Sequence, residues 1–269
     1  MNATASHAGN SSRSRRPSVV VVDVNNMPAA GDDAAWGRRL RPDEMAACRQ
    51  FVRPRGHLAA RVTAKRALLA LLGWQGGGGE RDIEVVGGAG TRPRLVIEGA
   101  VAARARHLGI GALAVSLSHS DGYAGAMVVA SPLAAAGHRP APGCGIDLLD
   151  ISRWALAVHR GGTPLLERVT APAEWAADTD ASSPPTTRSA ARFALKECVV
   201  KAIGGFPAGG GFHDVVITFD EHARPRVRCA GAVARRLESI GSTSLDASMA
   251  APVPGLLQAA VIIDTAGER

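Results

Sequence analysis

The chain has 269 residues, 46% hydrophobic but only 4% aromatic, and a formal charge of +7 at pH 7. That length fits one large domain or two modest ones with ample core, and the lack of any long apolar run excludes a membrane-spanning helix. The positive balance favours an acidic partner or a polyphosphate ligand, whereas the few aromatics and the absence of a base-reading motif argue against nucleic acid.

Residues 1–17 carry Arg13, Arg15 and Arg16 but no apolar segment, so they read as a disordered tail and not a signal peptide. Cys48, Cys144, Cys198 and Cys229 show no CxxC or Cys/His metal spacing, which suits buried reduced thiols in a cytoplasmic protein. A strand, "VVVDV" (20–24), holds Asp23. After "RPDE" (41–44) comes a long helix, "RVTAKRALLALLG" (61–73). A strand–turn–strand surrounds the Arg-Pro-Arg of "TRPRLVIEGAVAAR" (91–104), whose end starts another helix. "SLSHSDGYA" (116–124) leads into a closing strand, "AGAMVVA" (124–130). Pro and Gly in residues 131–142 mark a linker.

The same series then returns. "GCGIDL" (143–148) is a strand with Asp147, "APAE" (171–174) answers "RPDE", and "RFALKECVVKAIG" (192–204) is a helix with Leu195, Val199 and Ala202 on one face. "ARPRVRCAGAVARR" (223–236) matches 91–104, and "LQAAVIID" (257–264) matches the closing strand, all at offsets of 124 to 134 residues. Two copies of one α+β unit, 18–130 and 143–266, are predicted, with Asp23 opposite Asp147 and a loop insertion over 160–190.

Twenty-eight of the 31 basic residues are arginine, and two of the three lysines, Lys196 and Lys201, flank Glu197 in the second helix. A solvated Glu197–Lys201 pair at i,i+4 would be worth only about 0.2–0.5 kcal/mol, and arginine would serve there equally well. The first copy has Arg66 and Ala70 in place of Glu197 and Lys201, and the second has "SMAAPVPGL" in place of "SLSHSDGYA". This division of polar residues predicts one composite site between the halves.

With "GIDLLDISR" (145–153) followed about fifty residues later by "RFALKECVVK" (192–201), the chain resembles the 4′-phosphopantetheinyl transferases. "SLSHS" (116–120) is similar to the Ser-His motif of the two-lobed, surfactin-type members. The second half also resembles the single-copy holo-acyl-carrier-protein synthases. The resemblance implies an α+β pseudo-two-fold tandem repeat, acting as a monomer, that transfers phosphopantetheine from coenzyme A to a serine of an acidic apo carrier protein. It implies Mg²⁺, with Mn²⁺ as a substitute, on Asp147 and Glu197, with Glu197 as the base and Lys201 on the departing phosphate. Lys196 is expected on the phosphate chain, Ser118 and His119 at the adenosine 3′-phosphate end, and Arg61 and Arg92 as phosphate partners. The surfactin-type second acid is replaced by Leu149, which leaves Asp150 as a supporting residue behind the metal and a water in the missing position. A non-catalytic coenzyme A or carrier-protein binding module is the rival reading. His107, His159 and His213 lie in no motif and are read as structural or solvated.

Overall fold

The computed structural model describes residues 15–87, 91–120, 122–133, 141–176 and 184–266. The first half runs β1 (Arg15–Asp23), α1 (Asp33–Gly37), α2 (Pro42–Arg49), α3 (Pro54–Leu71), β2 (Ile83–Val86), β3 (Arg94–Ile97), α4 (Gly99–His107), β4 (Ile110–Ser120) and β5 (Tyr123–Pro132). The second runs β6 (Gly143–Asp150), α5 (Ile151–Val169), α6 (Pro172–Ala176), α7 (Pro185–Ile203), β7 (Val215–Phe219), β8 (Pro225–Cys229), α8 (Gly231–Ser239), β9 (Ser242–Val253) and β10 (Leu256–Thr265). Among the described residues the antiparallel sheets have the orders β1-β5-β4 and β6-β10-β9, with hairpins β2-β3 and β7-β8 beside them. Helix and sheet are thus mixed in an α+β arrangement, and the element series of one half recurs in the other.

Each three-stranded sheet packs one face on its own long helix. Leu195, Val199, Ala202 and Ile203 of α7 meet Ala259, Val261 and Ile263 of β10. Ala64, Ala67 and Leu68 of α3 meet Ala126 and Val128 of β5. The opposite faces join the halves, where Ala114, Met127 and Val129 pack on Cys144, Ile146 and Ala260. Each large aliphatic side chain buried there contributes roughly 1.5–3 kcal/mol.

Hydroxyls lock this joint. Ser116 and Ser118, two apart on β4 and hence on one face, accept from the Ile146 and Leu148 backbone N–H groups, both at 3.0 Å. On β9, the aligned Ser248 and Ala250 are exposed.

Four expectations change. Residues 1–14 of the expected tail lie outside the described residues, but β1 starts at Arg15, which pairs with Ala130 ahead of an irregularity before Ser18. The 160–190 insertion is largely helical, and its residues 177–183 lie outside the described residues. Gly162 (φ 57°) breaks α5, Pro164 starts its next turn, where a missing N–H costs little, and Leu165 and Leu166 pack on the core. Residues 134–140 of the expected linker also lie outside the described residues, while β5 extends to Pro132.

The fourth change concerns Asp23. Ala126 and Ala259 occupy matching places, each turned to its own long helix, and their strand partners are Val20 and Asp147. Val20 is therefore the counterpart of Asp147. Asp23 corresponds instead to Asp150: the two have φ/ψ of −75°/120° and −75°/118°, and each accepts from the backbone N–H two residues on. Both are helix caps.

Candidate active site

The alternation of "GCGID" brings β6 against α7. Cys144 and Ile146 turn to the other half, so Gly143, Gly145 and Asp147 fall on the helix side. A Cβ at Gly145 would lie 1.9 Å from the Cys198 carbonyl oxygen, and one at Gly143 would lie 2.7 Å from that of Ala202. Only glycine lets the helix backbone come this close. Asp147 then meets the polar stripe of α7: its Oδ1 accepts from Lys201 Nζ at 2.7 Å, and Lys201 also donates to the Ile146 carbonyl at 2.9 Å. Gly204, left-handed at φ 87°, ends the helix one turn later.

Glu197, one turn before Lys201, is half-buried and forms no hydrogen bond or ion pair among the described residues. Burial pushes its carboxyl above the ordinary range, Lys201 opposes this, and the negative charge of Asp147 adds to it.

From the first half, β4 and α3 supply the facing wall. A cleft of about 310 Å³ is lined by Asp147 and Lys201 on one side and by His57, Arg61, Ser118 and His119 on the other. Ser118 donates to Asp147 Oδ1 at 3.0 Å while accepting from Leu148. Its hydroxyl thus bonds within the joint and to Asp147, while Ser118 lines the cleft beside His119. His119 lies over Gly56, where a Cβ would be 3.0 Å from its Nδ1, and meets His57 edge-on with ring centroids 4.3 Å apart.

Sequence reasoning missed His57. It stacks on Phe51 at 3.7 Å, and burial, helped by His119 and Arg61, pushes its imidazole down to about 4. The available signal was its i,i+4 spacing to Arg61 on one helix face. Arg61 is buried and donates to the Gly87 carbonyl, but its Nε has no hydrogen-bond partner among the described residues. In the second half the matching Arg192 Nε donates to Ile217 O at 3.2 Å. Arg61 lines the cleft, and a guanidinium there fits an anion.

Arg92 and Lys196 are corrected. Arg92 is exposed beside Gly204, its guanidinium 3.5 Å from the Pro142 carbonyl, and does not line the cleft. Lys196 is fully buried and donates to Glu174 Oε2 (2.7 Å), Val169 O (2.7 Å) and Phe212 O (3.1 Å). It points away from the cleft because i and i+5 on a helix lie on different faces. Burial pulls its ammonium below the usual lysine range, and Glu174 opposes this.

The first half contains the same construction. Lys65 Nζ donates to Glu44 Oε2 at 2.6 Å and to Arg39 O at 2.8 Å. Each glutamate also accepts the backbone N–H three residues before it and that of a strand residue, Val85 or Ile217. The "RPDE"/"APAE" match thus marks a buried ion pair, and Lys201 is the lysine that faces the cleft.

Asp150, expected behind a metal, instead accepts from Ser152 N and Oγ and from Arg153 N, bonds that hold its carboxyl below the ordinary range. His107 and His159 are exposed, and His213 is bonded to the Glu167 carbonyl.

Residues 143–251 match the family model of the 4′-phosphopantetheinyl transferase superfamily. The chain is 39% identical over 126 residues to a holo-[acyl-carrier-protein] synthase of Clavibacter sepedonicus, an alignment covering 46% of this chain and 97% of the relative. With that of Streptomyces coelicolor it shares 52% over 73 residues, 27% of this chain and 59% of the relative. Among solved structures, the holo-[acyl-carrier-protein] synthase of Neisseria meningitidis is 26% identical, with a TM-score of 0.42 over 46% of this chain and 98% of that one. With nearly the whole of the Clavibacter protein matched, and with Asp147, Glu197 and Lys201 all inside the matched region, this chain belongs to the 4′-phosphopantetheinyl transferase superfamily.

Proposed function

We propose that this protein transfers the 4′-phosphopantetheine group of coenzyme A to a serine of an apo carrier protein, releasing adenosine 3′,5′-bisphosphate. The observation that carries the reading is the cleft in which Asp147 and Lys201 of one half face His57, Arg61 and His119 of the other. One side has the acid–base groups of a phosphoryl transfer. The other has nitrogen donors on His57, Arg61 and His119, suited to a nucleotide phosphate.

The donor set also suits the divalent cation that the family implies. Asp147 and Glu197 are near enough for the charge of Asp147 to raise Glu197, and Glu197 forms no hydrogen bond among the described residues, so a hard cation with oxygen ligands would offset both carboxylates. No group of three His, Cys, Asp or Glu suited to a metal occurs among the described residues, so substrate oxygens and water would complete the shell. When bound, Mg²⁺ or Mn²⁺ neutralises charge on the diphosphate.

The protein's own groups then have separate tasks. Glu197, made more basic by burial, takes the proton from the incoming serine hydroxyl. The serine oxygen bonds to the pantetheine-side phosphorus as the bond to the nucleotide phosphate breaks. Lys201 stabilises the charge appearing on that leaving phosphate. His119 and Arg61 hold the 3′-phosphate, and His57, neutral near pH 7, supports His119. Both walls come from one chain, so a monomer suffices, and the basic balance suits an acidic carrier in the cytoplasm.

A mass-shift assay with a panel of apo carrier proteins tests this. Addition of one phosphopantetheine group to at least one carrier is expected. Coenzyme A binding without any mass shift across fatty-acid, polyketide and peptide carriers would make the chain the binding module instead.

A further inference from the structure

The contacts of Lys201 place a cation on the carboxylate that the proposed metal would need. Lys201 Nζ is 2.7 Å from Asp147 Oδ1 and is braced by the Ile146 carbonyl at 2.9 Å. Ser118 holds the same oxygen from the other half. The two side chains remain partly open to the cleft, 30% exposed for Lys201 and 12% for Asp147. A dication reaching Asp147 with the ammonium in place would meet a like charge a few ångströms away in a part-buried setting. A diphosphate offers Lys201 another anionic partner and brings charge of its own.

We propose that Lys201 is a switch between two partners: without substrate it neutralises Asp147 and disfavours metal binding, and the coenzyme A diphosphate draws it away, opening Asp147 to the cation. This rests on the metal reading above. It makes metal and coenzyme A binding positively coupled, with the same factor in both directions, and it keeps the pair of acids from collecting a cation before the substrate that needs it. The coupling resides in the Lys201–Asp147 contact. Arg61 lines the same cleft but bonds to Gly87, so it tests whether general positive charge has the same effect.

Calorimetry with Mn²⁺ on the whole chain, with and without 3′,5′-ADP plus pyrophosphate or coenzyme A, reads the coupling without turnover. In the unaltered protein coenzyme A should tighten Mn²⁺ by about 10-fold or more. Lys201→Met should tighten Mn²⁺ alone by a similar factor and lower the coupling by that factor, leaving only the part that the diphosphate's own oxygens supply, even as coenzyme A itself binds more weakly. Lys201→Gln should behave likewise, and each variant is checked by its melting curve. Arg61→Met should leave the affinity for Mn²⁺ alone within about 3-fold, a change under about 0.7 kcal/mol. Unchanged or weaker Mn²⁺ binding in folded Lys201→Met, or an equal gain in Arg61→Met, overturns the switch. Failure of the unaltered protein to bind Mn²⁺ even with coenzyme A overturns the metal assignment itself, and the switch with it.

Discussion

Lys196→Met separates a folding role from a substrate role at a position the helix motif assigns to the phosphate chain. The ammonium makes three bonds at 2.7, 2.7 and 3.1 Å, and neither it nor the Glu174 side chain has any exposed surface. Methionine nearly conserves the volume, so the cost is chiefly the stranded carboxylate and two orphaned carbonyls. Breaking a buried pair from one side costs about 3–5 kcal/mol. Glu174 keeps its bonds from Ala171 and Ile217, which places the effect toward the lower end. At about 2–4 °C per kcal/mol for a chain near this size, the melting temperature should fall by roughly 6–15 °C. Lys65→Met, in the matching network of the first half, should fall by a similar amount. Calorimetric melting checks both, and coenzyme A KM, measured well below the transition, should stay within about 3-fold of the unaltered value. A Lys196→Met protein that melts normally but has its KM raised 10-fold or more would refute this reasoning and restore the lysine to the substrate.

Gly145→Ala should prevent β6 from seating on α7, since the new methyl would lie 1.9 Å from a backbone oxygen; little or no folded protein by circular dichroism is expected, and a normal melting curve would contradict the close approach. Glu197→Gln should raise the melting temperature of the substrate-free protein at neutral pH. The folded pKa of Glu197 is raised, so the advantage of its neutral form is fully present below the unfolded value and lost as pH rises through the folded one. The gain from Gln should therefore vanish below pH 4.5, the ordinary value, and a gain that persists there would contradict the burial argument. His119→Ala should raise coenzyme A KM, losing about 1.5–3 kcal/mol of charge-assisted contact, whereas Lys201→Ala should lower kcat; the reverse pattern in steady-state kinetics would reverse the assignment of the two walls. EDTA should abolish transfer, and turnover persisting in EDTA would remove the cation from Asp147 and Glu197.

The helices, the hairpins around Arg-Pro-Arg and the recurrence of the element series were legible because apolar spacing and turn residues act locally. The placing of Asp147 with Glu197 and Lys201 came instead from the likeness of "GIDLLDISR" and "RFALKECVVK" to a known family, because the glycine clearance that seats β6 on α7 is a contact between distant parts of the chain. Lys196 was misread because its partner, Glu174, lies 22 residues earlier, ahead of a stretch rich in Ala, Ser, Thr and Pro. Asp23 was set opposite Asp147 because an acid in a valine-rich strand matches either of two acids, Asp147 and Asp150. Sheet register decides between them, and register depends on strands far away in sequence. His57 acquires meaning only when β4 brings His119 over α3.

The serine clamp between β4 and β6 acts on main-chain N–H groups and not on side chains. Its grip is therefore indifferent to which apolar residues stand at Ile146 and Leu148, provided the strand keeps its place. That makes residues 133–142 a promising point at which to cut the gene in two. Separately expressed fragments would carry complementary halves of the clamp, and their reunion would restore the cleft. Such a split protein would turn the meeting of two fused bait proteins into the labelling of a carrier.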